Sequence, residues 1–227
     1  MSIALDHLVV AARTLDDGVA WCEATFGITP GPGGKHPRMS THNRLFSIAS
    51  PTFPRAYAEI MAIDADAPPP ARARWFDLDS PTMRAAVARS PQLVHWVLRC
   101  DDIESRCAHW RAAGIERGEV ITAERETPRG LLRWRISVRS DGQRLFDGAV
   151  PTLIEWGERH PCDTLPDSGV ALQRLALANV PPPIRDDCAV AGVLFVDAAS
   201  PLCAELSTPR GDVTLRAPHL GEPDVQP

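Results

Sequence analysis

The sequence predicts an α+β fold made of two βαβββ modules in tandem, followed by a partial third extension of βαβ type. Three observations carry this. The apolar run Leu5-Asp6-His7-Leu8-Val9-Val10 has an echo at Leu93-Val94-His95-Trp96-Val97-Leu98, each broken by one histidine. Each run leads into a polar capping residue, a helical apolar spacing and a glycine, with Gly27 20 positions after His7 and Gly114 19 positions after His95. Each half closes on a short strand with one carboxylate among apolar neighbours, Tyr57-Ala58-Glu59-Ile60-Met61 and Thr152-Leu153-Ile154-Glu155-Trp156. The duplication divides the chain into a first module over 1–64, a helical linker over 65–92, a second module over 93–161, a C-terminal partial module over 162–218 and a tail over 219–227.

Over residues 3–10 strand alternation puts Ile3, Leu5, His7 and Val9 on one face, so that His7 is the polar exception on an apolar surface. Thr14 or Asp16 caps a helix whose Leu15, Val19, Cys22 and Phe26 form one stripe, and Gly27 stops it. The segment from Gly31 to Pro37 reads as a rigid, glycine-rich loop. It is not a phosphate loop, because Lys35 is followed by His36 and not by Ser or Thr. Strands follow over 44–49 and 55–63, and in the second of them Tyr57, Glu59 and Met61 share a face. Three prolines at 68–70 mark the linker, and residues 71–90 read as one or two helices with Ser80 as cap and Pro81 at the first helical position.

The second half repeats this plan. Leu93, His95 and Val97 alternate with Val94, Trp96 and Leu98; Asp101 or Asp102 caps a helix that turns Ile103, Cys107 and Trp110 inward. Strands are expected near 117–123 and 130–138, then a hairpin excursion through Ser140-Asp141-Gly142 and Asp147-Gly148. The C-terminal part offers a strand over 172–178, a short helix after Pro183, and strands near 193–197, 203–207 and 212–216. It has Leu175 or Leu177 where the repeats have histidine.

Composition excludes several classes of function. With 227 residues, a hydrophobic fraction of 44%, a charged fraction of 23% and a net charge of -5, the chain has no basic stripe to neutralise phosphates, so no nucleic-acid partner is expected. No run approaches the length of a membrane span, and none of the six cysteines is spaced as a metal-binding pair, so the expectation is a cytoplasmic protein with reduced thiols and no membrane partner. The partner left is a small-molecule ligand, bound by a monomer or a homodimer.

The candidate site rests on His7, Glu59, His95 and Glu155, brought together by the duplication. A carboxylate buried unpaired on an apolar face is costly by several kcal/mol, so two of them need counter-charge. Either a metal supplies it, or one of Arg44, Arg99, Arg133 and Arg135 does. Imidazole and carboxylate donors suit Zn, Ni, Mn or Fe(II) and leave positions for substrate oxygens. His36, His42 and Asn43 near the loop mouth are candidate substrate-binding groups, and Trp134 is the tryptophan expected to line a pocket.

A strand-helix-strand-strand-strand unit occurring twice, with His in each first strand and Glu in each last, resembles the vicinal oxygen chelate superfamily, and within it the glyoxalase-like branch. The resemblance is carried by Leu5 to Val10, by Gly33 to His36 with Thr41 and Asn43, by Leu93 to Trp96, and by Leu153 to Trp156 with His160-Pro161. It implies a cleft formed by two modules, with a divalent metal held by His7, Glu59, His95 and Glu155. Either Glu59 or Glu155 would then leave the metal to act as general base in an isomerase, lyase or dioxygenase reaction on vicinal oxygens. The drug-binding relatives imply the alternative, a metal-free protein that sequesters an apolar or aromatic small molecule.

Overall fold

The computed structural model describes residues 2–127 and 130–218; the tail set apart at 219–227 lies outside them. Strand β1 (Ile3–Ala11) leads into helix α1 (Leu15–Phe26), then β2 (Gly31–His36), β3 (Thr41–Ser47) and β4 (Tyr57–Ile63). After α2 (Pro81–Arg89) the succession recurs as β5 (Gln92–Cys100), α3 (Ile103–Ala112), β6 (Glu119–Thr127), β7 (Gly130–Val138) and β8 (Thr152–Trp156). The eight strands form one sheet in the order β2-β3-β4-β1-β5-β8-β7-β6, two four-stranded halves joined along the antiparallel β1–β5 seam.

Local chemistry fixes the helices. The Thr14 hydroxyl accepts the Asp17 N–H at 3.1 Å and Gly27, at φ 77°, ends α1. Ser80 and Asp102 cap α2 and α3 in the same manner.

One face of the large sheet packs against α1, α3 and a second sheet. That sheet is built from β9 (Ala171–Ala178), β10 (Val193–Val196), β11 (Leu202–Thr208) and β12 (Gly211–Arg216), with the short α4 (Pro182–Arg185) after β9. Leu8, Val10, Trp96 and Leu98 meet Phe26, Trp110, Leu175 and Leu202 there in one continuous core. The other face carries a smaller cluster, in which Val9, Met61, Val97 and Ile154 are covered by Trp75, Phe76, Leu78 and Met83 from the linker. The sheet is rolled about this second face. Its two edge strands approach so closely that a Cβ on Gly34 of β2 would stand 1.8 Å from an Arg125 nitrogen of β6. Among the described residues no helix is long and apolar enough to cross a membrane.

Four details differ from the sequence reading. The glycine-rich segment is an edge strand, not a loop: β2 pairs with β3, with Pro32 opposite Arg44 and Lys35 opposite His42. Proline is tolerated at an edge, and Gly33 is needed because a Cβ there would lie 2.2 Å from the Asn43 carbonyl oxygen. In β1 the β5 register jumps between Leu5 and His7, so Asp6 is an extra, bulged residue. Leu5 thereby joins the helix-side core with Leu8 and Val10, while Val9 stays on the cleft face.

The other two concern the linker and the excursion. Of residues 71–90 only Pro81–Arg89 is an α-helix. The chain before it makes a turn in which Phe76 and Asp77 take φ of 59° and 58°, in the left-handed region. The expected hairpin at 140–148 is a 3-10 turn over Phe146–Gly148 flanked by a single bridge between Leu145 and Val150. Arg144 ties these two irregular segments together, donating through Nε to Asp77 at 2.8 Å and through Nη1 to the Val94 carbonyl at 3.0 Å.

Candidate functional site

His7 and Glu59 meet on the cleft face, from adjacent parallel strands in which His7 pairs with Tyr57 and Val9 with Glu59. The bulge at Asp6 lets that carboxylate turn back to its own neighbour, and Asp6 Oδ1 lies 2.7 Å from His7 Nδ1. On the other side His7 Nε2 is 3.5 Å from Glu59 Oε2, and the Tyr57 ring stacks on the imidazole with centroids 4.6 Å apart. Burial works against a charge on His7, but the two carboxylates outweigh it and hold its pKa up to about 9. His7 is therefore an imidazolium at neutral pH, hydrogen-bonded through Nδ1 to Asp6 and ion-paired through Nε2 with Glu59.

Asp6 is fully buried and fully used. Its Oδ2 accepts the Trp156 indole N–H at 3.0 Å, lies 2.9 Å from His160 Nε2 and is 3.7 Å from Arg99 Nη1. Burial penalises its charge, yet the His160 and His7 hydrogen bonds outweigh that and keep its pKa below the ordinary carboxylate range. Glu59 is likewise penalised by burial and nonetheless lowered, by His7 first and then by His36 and Asn43. The counter-charges are thus supplied within the chain. Asp6 and Glu59 are balanced by His7 and Arg99.

Asn43 and His36 complete this corner. The Asn43 amide donates to Glu59 Oε1 and accepts the Gly34 N–H at 2.7 Å, and its nitrogen lies 3.4 Å from His36 Nε2. Burial lowers the His36 pKa to about 4, so the ring is neutral at pH 7; its Nε2 accepts from Asn43 and its Nδ1 donates to the Thr41 hydroxyl at 3.0 Å. A small cavity of about 40 Å³ lies over His7, Glu59, Asn43 and His36, and shares lining residues with two larger spaces. On one side a cleft of about 530 Å³ is lined by His36, Trp75, Ile121, Trp134 and Ile136. On the other a trough of about 700 Å³ runs past Gly33, Arg125, Leu132, Arg159 and His160.

Trp134 thus lines the cleft. His42 alternates with Asn43 along β3, and so points to the opposite face of the sheet.

The remaining two members of the expected quartet lie elsewhere. Glu155 shares its face with Leu153 of the helix-side core, whereas Ile154 belongs to the cleft-side cluster. Its Oε2 accepts the Ile103 N–H at 2.9 Å at the start of α3, and its Oε1 is 3.2 Å from Arg135. Thr152, not Glu155, stands beside Val97 as Glu59 stands beside Val9; Glu155 lies an odd number of residues further along β8 and so faces the other way. His95 does face the cleft side, but Phe76 covers it, with ring centroids 4.8 Å apart. Its Nε2 accepts the Thr152 N–H at 3.0 Å. Burial, reinforced by Arg117 and Arg144, drives its pKa well below the usual histidine range.

A divalent metal does not fit this donor set. Among the described residues no three His, Cys, Asp or Glu side chains are disposed to hold one. The two that do meet, His7 and Glu59, already satisfy each other and their neighbours. Sequence reasoning missed Asp6, although the Leu-Asp-His triplet placed it beside His7. It also missed Trp75 and Phe76, whose role has no periodic signature.

Two βαβββ units sharing one rolled sheet, with a polar corner on its inner face, define a protein of the vicinal oxygen chelate type. Residues 5–185 match the family described as the glyoxalase-like domain, and the chain belongs to it. Among solved structures, a hypothetical protein from Staphylococcus aureus is similar over 95% of this chain and 85% of its own, at 16% identity and a TM-score of 0.55. A methylmalonyl-CoA epimerase from Mycobacterium tuberculosis aligns with 67% of this chain and 86% of its own, at 16% identity and a TM-score of 0.39. That of Streptomyces coelicolor, bound to 2-nitronate-propionyl-CoA, aligns with 70% and 99%, at 16% identity and 0.43. At that identity the likeness to the Staphylococcus aureus protein is one of fold. No curated protein matches the chain in sequence.

Proposed function

We propose that this protein binds a small organic molecule in the cleft before Trp134 and Trp75, and does so without a metal. One observation carries the reading. The buried His7 imidazolium is clamped between Asp6 and Glu59, so the polar wall of the small cavity, which shares His36, Trp75 and Trp134 with the aromatic-lined cleft, is charge-balanced by the chain itself. The cleft, about 530 Å³, is of the size that takes a drug-sized ligand. An apolar or aromatic body would lie on the two indoles, and a polar group would reach the neutral His36 and the Asn43 amide. The alternative, a metal-dependent isomerase, lyase or dioxygenase, requires Glu155, which lies on the other face of the sheet, or His95, which Phe76 covers and Thr152 engages, to join His7 and Glu59.

The test is a ligand screen by thermal shift and intrinsic tryptophan fluorescence, together with elemental analysis of protein purified without a chelating column. Hits whose binding is lost in Trp134→Ala and His36→Ala support the reading. Stoichiometric metal that disappears in His7→Ala and Glu59→Gln overturns it, as does binding indifferent to both cleft variants.

A further inference from the structure

A second polar site lies behind the linker, apart from the His7 corner. Arg117, in the turn between α3 and β6, is only 3% exposed. Its single hydrogen bond runs from Nη2 to the Thr152 hydroxyl at 2.7 Å, and its Nε and Nη1 have no partner. The other arginines there are matched. Arg144 is held by Asp77, and Arg139 by Asp141. No carboxylate among the described residues stands within ion-pair distance of Arg117. A guanidinium cannot shed its proton to escape the cost of burial, so the charge calls for a counter-ion.

The space beside it has the matching character. A cavity of about 10 Å³, room for one water-sized particle, is bounded by Arg117, Ser137, Thr152 and His95. Three of its lining side chains are arginines and none is acidic. Ser137 Oγ already accepts the Leu153 N–H at 3.0 Å, which leaves its hydroxyl proton free to donate inward. Trp75 and Phe76 close the cavity towards the cleft. A water molecule there could satisfy the orphaned N–H groups but not the charge; a monatomic anion does both.

We infer that Arg117 and Ser137 form a buried binding site for a single halide-sized anion, chloride being the form present in ordinary solution, and that this anion is a structural element of the second half of the cleft.

The test is thermal unfolding of the full chain at constant ionic strength, with chloride or bromide exchanged for gluconate, which is too large to enter. A crystal grown in bromide and measured at the bromine absorption edge gives the position. The expected result is a saturable rise of about 3–6 °C when halide is tenfold above its dissociation constant. An anomalous peak should lie within hydrogen-bond distance of Arg117. Arg117→Met should lose the halide response and, in gluconate, be no less stable than the parent, since it removes a charge without a partner. If that variant fails to fold, Arg117→Gln replaces it, with the same loss of response expected. Equal unfolding temperatures in halide and gluconate overturn the inference, whether or not a peak is present, since a peak alone is an adventitious ion only. A halide response unchanged in the Arg117 variant overturns it too.

Discussion

Phe76 lies against the imidazole of His95, ring centroids 4.8 Å apart, and the same phenyl group lines the small cavity over His7. The two repeat histidines stand on adjacent strands of one face, yet a linker residue separates them. Trp75, its neighbour, meets His36 edge-on at 5.0 Å and hands its indole N–H to the Met61 sulfur. The linker has covered His95, leaving open the part of the cleft between His36 and the Ile121, Trp134 and Ile136 side chains of the second half.

Removing the plug should therefore act on both halves. Phe76→Ala is expected to cost about 3–5 kcal/mol in urea unfolding, the range for emptying a buried aromatic position. It should also shift the ring signals of both His7 and His95 in nitrogen-edited NMR spectra. A variant that loses stability while the His95 signals stay in place would show that Phe76 does not cover that ring.

Asp6→Asn tests the clamp on His7. The His7 pKa, held at about 9 by Asp6 and Glu59 against the effect of burial, should fall by more than one unit when followed by NMR titration. Because Asp6 also serves Trp156, His160 and Arg99 within the core, a stability loss of about 3–5 kcal/mol is expected with it. An unchanged His7 titration would refute the clamp.

The pH profile of stability should have two separable arms. His7 has a folded pKa raised to about 9, so its contribution is complete below about 6.5 and is lost as pH rises through about 9. His36 is the reverse, with a folded pKa lowered by burial to about 4; the unfolded chain takes up its proton first, so stability falls as pH drops from about 6.5 to 4. His95, lowered in the same direction, adds to the acid arm, as do Asp6 and Glu59 at lower pH. Unfolding free energies measured from pH 4 to 10 should peak near neutrality. His7→Gln should flatten the alkaline arm and His36→Gln the upper part of the acid arm; an alkaline arm unaltered in His7→Gln would contradict the assignment.

The paired glycines of β2 give a contrast that composition alone does not foresee. A Cβ on Gly33 would stand 2.1 Å from Asn43 Oδ1 and 2.2 Å from its carbonyl oxygen, so Gly33→Ala must push β2 away from β3 and disturb the Asn43 contact with Glu59. A loss of about 2–4 kcal/mol is expected, together with weaker ligand binding. At Gly34 the nearest obstacle is the end of the flexible Arg125 side chain, which can swing aside, and Gly34→Ala should cost less than about 1 kcal/mol. Equal losses in chemical denaturation would show that the β2–β3 approach is looser than this.

Much of the architecture was legible because it depends on local patterns. Repeated apolar runs, Thr14, Ser80 and Asp102 as caps, and Gly27 as a stop are each written within a few residues, and they predicted the succession of strands and helices. The Glu59 side chain followed from strand alternation, since β4 pairs with β1 without a slip; His7 keeps its face with Val9, although the bulge at Asp6 turns Leu5 to the other side. The phase of β8 did not follow. The pattern around Glu155 reads equally well on either face, and the choice belongs to its pairing with β7 and to the N-terminus of α3.

What the sequence by itself determined is the duplicated α+β plan, the polar exceptions on its strands and the aromatic supply for a cleft. Only the tertiary structure decided that Asp6 bulges to hold His7, that Glu155 turns away, and that Trp75 and Phe76 enter the cleft to leave Arg117 buried behind them. The physical reason is range: alternation and capping act over a few residues. Register shifts, left-handed turns and the burial of a charge are settled by partners tens of residues distant.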